Sequence, residues 1–345
     1  MQAPDPPNTP DVACAPDAPG TPAEPAEASS LSNEPEPAVS VRGLTKDFGE
    51  TLALKDVSFD VGPGEIFGLI GPNGAGKTTT IRILATLLEP TDGEVKVCGR
   101  CVVEEAETVR GLIGYMPDSF GVYDGNTVEE YLEFFAGAYR VPTQRRKGVV
   151  DDVMALTDLV HLRGRMVSDL SRGMKQRLCL AKTLVHDPKV LILDEPASAL
   201  DPRARIELRV LLKELGRMGK TILISSHILT ELSDLCTGVA IIERGRLVES
   251  GGMEAIEKKR GRTRRVRVRL HGEVPGLGDV FRSDPNVSNV IVDDGQLFFE
   301  YLGPPEHFYR VVKVLVDLEV PFLSVEPEVS NLERLFMELT EGEVQ

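Results

Sequence analysis

Three short stretches of this chain carry residue types and spacings that could do chemistry. The first is Gly71-Pro72-Asn73-Gly74-Ala75-Gly76-Lys77-Thr78, followed by Thr79, which fits G-x-x-x-x-G-K-[ST] without a mismatch. A loop that wraps a di- or triphosphate must aim successive backbone N–H groups inward, and glycines without a Cβ allow that. Lys77 would add a point charge for the β- and γ-phosphates, and the Thr78 hydroxyl would ligate Mg²⁺. The second stretch is the carboxylate pair Asp194-Glu195, and the third is Ser225-Ser226-His227. The loop implies a nucleoside triphosphate as ligand.

The elements around these stretches are of the kind that could position them. Residues 66–70 are a short apolar run of strand type, and Ile81, Ile83, Leu84, Leu87 and Leu88 then fall at helical spacing. A helix starting there would turn its unpaired N-terminal amides toward the phosphates. Residues 190–193 (VLIL) form a wholly apolar strand that ends at the two carboxylates, and residues 221–224 another that ends at the serines and His227. Strands without alternation belong in a parallel sheet covered on both faces, and ligands in such sheets sit at the carboxyl ends of strands.

Before the loop, residues 38–61 read as short strands joined by turns, with Gly62-Pro63-Gly64 a turn into the loop's strand. Phe48 in KDFG reads equally well as core packing or as an aromatic for stacking on a base. Residues 93–103 look like a hairpin that contains Cys98 and Cys101. This lone CxxC lacks a second ligand pair, and the two are read as ordinary small residues. Residues 118–168 have helical patterning, with Val128, Tyr131, Leu132 and Phe135 on one face. A helix through Leu184 opens at Leu170-Ser171-Arg172-Gly173.

Composition bounds the function. With 345 residues, two or so domains and a large core are expected. The formal net charge is −15, so no nucleic-acid partner is expected. No apolar run reaches the roughly 18 residues of a spanning helix, and no signal-peptide pattern opens the chain. Five cysteines at irregular spacing fit a reducing cytosol. Residues 1–38 are rich in Pro and Ala and hold Asp5, Asp11, Asp17, Glu24, Glu27, Glu34 and Glu36 but no Lys or Arg. Such a segment is expected to be a disordered tail.

Taken together, the phosphate loop at 71–78, LSRGMKQ at 170–176, LILDEP at 191–196, SALD at 198–201 and SSH at 225–227 come in the order and spacing of the ATP-binding cassette (ABC) ATPases. The resemblance covers about residues 39–258 and is far more specific than any one motif. It implies an α/β P-loop NTPase cassette with an antiparallel β subdomain and a helical subdomain, binding ATP and Mg²⁺. Position by position, Asp194 matches the residue that orders Mg²⁺, Glu195 the general base, and His227 the switch histidine at the γ-phosphate. Ser171 and Gly173 match the signature that completes the site of an opposite subunit, Asp201 the residue at the dimer seam, and Phe48 the base-stacking aromatic.

Two positions depart from the family pattern. Arg172 replaces a signature glycine, and Asp118 stands where Gln is usual. A carboxylate at 118 can still ligate Mg²⁺ but adds negative charge near the γ-phosphate. The resemblance further implies a head-to-tail dimer with itself or a similar cassette, and a separate transmembrane permease subunit that docks on residues 118–168. The chain would then sit at the cytoplasmic face of the membrane.

Residues 259–345 read differently. Lys258, Lys259, Arg260, Arg262, Arg264, Arg265, Arg267 and Arg269 form a basic run, and Val266, Val268 and Leu270 alternate with its arginines. A hairpin over 287–301, an amphipathic helix over 306–318, a strand over 322–325 and a final helix over 331–339 suggest a small α+β domain of ferredoxin-like βαββαβ type. A similar appended domain occurs in the antibiotic- and multidrug-exporter branch of the family. The first reading is therefore the ATPase subunit of an ABC exporter. The alternatives are a soluble ABC ATPase of translation or DNA repair, and a low-turnover nucleotide sensor.

Overall fold

The computed structural model describes residues 36–119, 121, 125–198, 200–228, 232, 235–253, 255–256, 264–272, 274–293 and 295–327. All of them belong to the second of the chain's two units, residues 35–345. The expected tail over 1–38 lies outside the described residues as far as residue 35, and at its far end Ala38 is buried with its N–H donating to Val61 O at 2.8 Å, so Ala38 belongs to the first sheet and not to the tail. The expected helix over 331–339 lies outside the described residues.

Strands β1 (Val39–Asp47) and β2 (Leu52–Val61) pair antiparallel, and β4 (Asp92–Val97) and β5 (Arg100–Cys101) extend the sheet in the order β2-β1-β4-β5. The second sheet holds β3 (Ile66–Ile70), β6 (Ile113–Met116), β7 (Val190–Leu193), β8 (Thr221–Ser226), β9 (Gly238–Glu243) and β10 (Arg246–Gly252). Its order is β10-β9-β3-β8-β7-β6, parallel throughout except for the edge pair β9/β10.

Burial on two faces explains the unalternating strands. In β7, Val190 and Ile192 pack into the core shared with the antiparallel sheet, while Leu191 and Leu193 enter the core beneath the helical part. Each strand thus serves two cores with successive side chains.

Helices α1 (Lys77–Leu84) and α2 (Ala106–Leu112) belong to the sheet side. The helical subdomain comprises α3 (Val128–Ala138), α4 (Thr143–Leu156) and α5 (Arg172–Leu184), with single 3₁₀ turns at Val160–Leu162 and Val167–Asp169. Helix α3 starts on a capping box in which Thr127 and Glu130 satisfy each other's backbone amides. Arg163 donates to Glu129 and Asp151, each at 2.5 Å, and so ties α3 to α4. Helix α6 (Pro202–Arg217) packs back on the central sheet.

Helix α1 is shorter than its apolar spacing predicts. Thr86 adopts φ 59°, the Thr86 N–H donates to Ile83 O at 3.0 Å and the Leu87 N–H to Arg82 O at 2.8 Å. That is a Schellman stop, and it leaves Leu87 exposed.

The third sheet is β11 (Arg264–Leu270), β12 (Val287–Asp293), β13 (Gln296–Tyr301) and β14 (Phe322–Pro327), all antiparallel in the order β12-β13-β11-β14. Helix α7 (Leu277–Arg282) follows β11 and α8 (Tyr309–Asp317) follows β13. This chain order, βαββαβ, is the ferredoxin-like one. Val266, Val268 and Leu270 are buried as the alternation requires, and Arg267 and Arg269 reach Glu326 on β14 at 3.2 and 3.8 Å.

Candidate functional site

The phosphate loop joins β3 to α1, as its flanking pattern predicts, and close approaches explain two of its glycines. A Cβ on Gly71 would lie 2.2 Å from Ile242 O, and one on Gly76, at φ +110°, would lie 2.6 Å from Leu54 Cδ2. The loop is therefore wedged between β9 and β2, and only glycine fits at either end.

Lys77 is 5% exposed and its Nζ donates to Gly71 O at 2.7 Å and Pro72 O at 3.1 Å. The ammonium thus sits inside the curl of the loop, where backbone carbonyls hold it ready for an anion. Burial lowers its pKa below the usual lysine value, and the nearby Glu195 and Asp194 charges oppose that shift.

Strands β7 and β8 are neighbours, so their C-terminal ends bring the carboxylates to the serines and the histidine. Asp194 Oδ1 accepts from Ser225 Oγ at 2.7 Å and from Thr78 Oγ1 at 3.4 Å. Burial pushes the Asp194 carboxyl above the usual range, while those two hydroxyls pull it down. The Ser225 Oγ also accepts from the Glu195 N–H at 2.9 Å. Glu195 stands at φ +45°, a backbone conformation that is rare for a residue with a side chain. Its Oε1 lies 3.6 Å from Lys77 Nζ and its Oε2 2.9 Å from His227 Nδ1.

The donor set fits Mg²⁺. Among the described residues no three His, Cys, Asp or Glu side chains cluster into a metal cage. One hydroxyl and one carboxylate, Thr78 and Asp194, are what Mg²⁺ takes when substrate phosphates supply the remaining oxygens. Asp118 accepts from Ser198 Oγ at 3.4 Å and raises the pKa of Asp194 through its charge. It therefore lies on the carboxylate side of the loop.

A cleft of about 390 Å³ opens over the loop, lined by Asn73, Gly74, Ala75, Gly76, Lys77, Thr78, Thr79 and Glu195, and on a second wall that adjoins them by Thr51, Leu52, Ala53, Lys55, Arg244 and Gly245. The second wall was not anticipated from sequence. Arg244 and Gly245 lie about 170 positions after the loop, and only strand order brings them there.

Gly71, Pro72, Asp118, Asp194 and His227 lie outside this lining, and Phe48, Ser171, Gly173 and Asp201 do not line the cleft either. Phe48 sits in the β1–β2 turn, 55% exposed, with Lys46 Nζ 5.2 Å from its ring centroid. Ser171 caps α5 by accepting the Met174 N–H at 3.3 Å, and Asp201 caps α6 by accepting the Ala204 N–H at 2.9 Å. Gly173, in the first turn of α5, has room for a Cβ, with Leu200 Cδ2 nearest at 3.6 Å. Packing among the described residues gives no reason for a glycine there. Cys98 occupies the β4–β5 turn and Cys101 pairs with Lys96, both as free thiols.

The ABC transporter family profile matches residues 54–198. The Nod factor export ATP-binding protein I of Burkholderia lata is 34% identical over 313 residues, 90% of this chain and 99% of that protein. The probable multidrug ABC transporter ATP-binding protein YbhF of Escherichia coli is 37% identical over 216 residues, 63% of this chain and 37% of that protein. Among solved structures, an ATP binding subunit of an ABC transporter superposes with a TM-score of 0.59 at 31% identity, covering 64% of this chain and 92% of that one.

Proposed function

The chain belongs to the ABC transporter family as an ATP-binding subunit, and from that premise we propose that it powers an exporter by hydrolysing ATP between two cassettes. The observation that carries the mechanism is Glu195 bracketed by Lys77 and His227 beside the phosphate loop.

In this mechanism the loop amides and Lys77 bind the β- and γ-phosphates of ATP. Thr78, Asp194 and Asp118 would hold Mg²⁺, which would supply charge neutralisation at the phosphates when bound. Glu195 accepts the proton of the attacking water as general base. His227 fixes the Glu195 Oε2 and presents its other ring nitrogen toward the γ-phosphate. Phosphoryl transfer asks for this positioning and charge rather than for a covalent intermediate. Phe48, exposed at its turn, is read as the residue that covers the base.

Gly173 supports a head-to-tail dimer. A glycine that its own chain does not need is understandable where a second chain's γ-phosphate must come close to the backbone of α5. Ser171, Gly173 and Asp201 then act on the site of a partner cassette, which is a second copy or a similar chain. Among the described residues no helix is long and apolar enough to cross a membrane. The relatives' names as ATP-binding proteins of transporters support a separate transmembrane permease, docked on residues 118–168 at the cytoplasmic face. Export follows the names of the matched relatives. Those names give no support to translation, DNA repair or sensing. Residues 259–345 are read as an accessory domain appended to the cassette of residues 39–258.

Glu195→Gln with ATP is the decisive preparation. It should bind ATP, fail to turn it over, and elute as a dimer in size-exclusion chromatography. Pulled from detergent-solubilised membranes, it should carry a stoichiometric polytopic protein. A monomer that hydrolyses ATP at the wild-type rate would overturn the mechanism, and recovery without any membrane protein would overturn the transporter role.

A further inference from the structure

The β9–β10 hairpin turns over the phosphate loop through two residues, Arg244 and Gly245, at φ 50° and 77°, with Glu243 and Arg246 paired on either side. A two-residue loop with both φ positive is a type I′ turn, for which Asn-Gly and Asp-Gly are preferred. Arginine at its first position is a poor choice on backbone grounds alone. Strained residues of this kind cluster where a side chain has work to do.

The turn is fastened to both walls of the cleft. Lys55 N–H donates to Gly245 O at 2.7 Å, and Gly245 N–H donates to Ala75 O at 3.0 Å. A Cβ on Gly245 would lie 2.5 Å from Ala53 O, so the contact is as close as a backbone permits. The Cα of Arg244 is thereby held next to the middle of the phosphate loop, and Arg244 and Lys55 both line the cleft. The hydrolytic group Glu195 contacts the loop elsewhere, at Lys77.

We propose that Arg244 is a nucleotide-binding residue that holds the non-terminal phosphates from the turn beside the loop, with Lys55 adding to the field. The proposal rests on the reading of this cleft as the ATP site. A guanidinium presents a planar fork of donors that matches phosphate oxygens. Because the contact falls on phosphates common to ADP and ATP, it strengthens the binding of both.

The test is calorimetric titration of the full chain with ADP and with ATP in the presence of Mg²⁺. The variants are Arg244→Asn, Arg246→Asn and Lys77→Ala. Asn at 244 installs the favoured Asn-Gly turn, so the hairpin is kept while the cation is lost. Arg246 is an exposed cation two residues on that does not line the cleft. Arg244→Asn should weaken ADP and ATP by the same factor, about three- to tenfold. Its loss should shrink as salt screens the charge. Arg246→Asn should bind like the wild type. Unchanged ADP affinity in Arg244→Asn overturns the proposal, as does an equal loss in Arg246→Asn, which would mean a diffuse field. Wild-type affinity in Lys77→Ala, or no nucleotide binding by the wild type, would instead bring down the cleft reading and Arg244 with it.

Discussion

Glu195 Oε2 and His227 Nδ1 lie 2.9 Å apart although 32 positions separate the residues in sequence. Adjacent strands β7 and β8 deliver both side chains to one end of the sheet, so the contact is a product of strand order. A carboxylate held on one side by His227 and on the other by Lys77 has a fixed orientation, which a general base needs.

Replacing Glu195 by Gln should cut ATP turnover by roughly 10²- to 10⁴-fold, the usual range for a general base, with ATP affinity retained. Replacing His227 by Ala removes the contact that orients Glu195 together with the ring nitrogen offered to the γ-phosphate, and should cost about 10- to 100-fold, in kcat rather than in KM. Steady-state kinetics distinguishes the two roles. A larger loss for His227 than for Glu195 would reverse the assignment of the base.

Lys77→Ala should abolish most of the stabilisation that ATP gives. Ligand that binds the native state raises Tm through mass action, so millimolar ATP should raise the melting temperature of the wild type and leave that of Lys77→Ala nearly still. An equal shift in both proteins would remove the loop from the binding site.

Much of this site was legible because its signals are local. The loop's glycines, the apolar run 190–193 before Asp194 and the run 221–224 before Ser225 each announce an element and its end within a few residues. The misses come from interactions that leave no local pattern. Arg244 reaches the phosphate loop only through sheet order. Ser198 meets Asp118 across 80 positions. Helix α1 was read too long because its stop at Thr86 uses a left-handed residue that is not glycine, and α3 and α4 end in the same way at Arg140 and Asp158. Helix α6, with Gly219 at that position, carries the recognisable signal. Asp201 could have been read as a helix cap from the Asp-Pro pair that opens α6.

Asp118 departs from the family pattern, and its contacts suggest a measurable effect on the metal. Its carboxylate adds to the negative potential at Asp194, so Asp118→Ala should raise the Mg²⁺ concentration for half-maximal turnover about tenfold. Asp118→Gln, which keeps an oxygen for Ser198 and for the metal, should fall between the two. A Mg²⁺ midpoint unchanged in Asp118→Ala would confine the residue to its hydrogen bond with Ser198.

His186, outside the nucleotide site, gives the fold a pH dependence. Its ring stacks on Tyr139 with centroids 3.9 Å apart, and its Nε2 lies 2.8 Å from Ile113 O. That contact makes Nε2 the donor, and a second proton would fall on Nδ1, which is buried without a partner. Burial therefore lowers the His186 pKa below 6.5, aided by Lys220 and opposed by the Ile113 carbonyl and Asp187. In the unfolded chain the imidazole titrates near its ordinary value of about 6.5. Below that pH the unfolded state takes up a proton that the folded state refuses. This contribution to stability is thus complete above about pH 6.5 and is lost as pH falls toward the folded pKa. His186→Phe keeps the stack and removes the titration. The melting temperature of the wild type minus that of the variant should be flat from pH 8 to about 7 and then decline toward pH 5. A difference that stays constant across the range would mean the ring is protonated as readily in the fold as outside it.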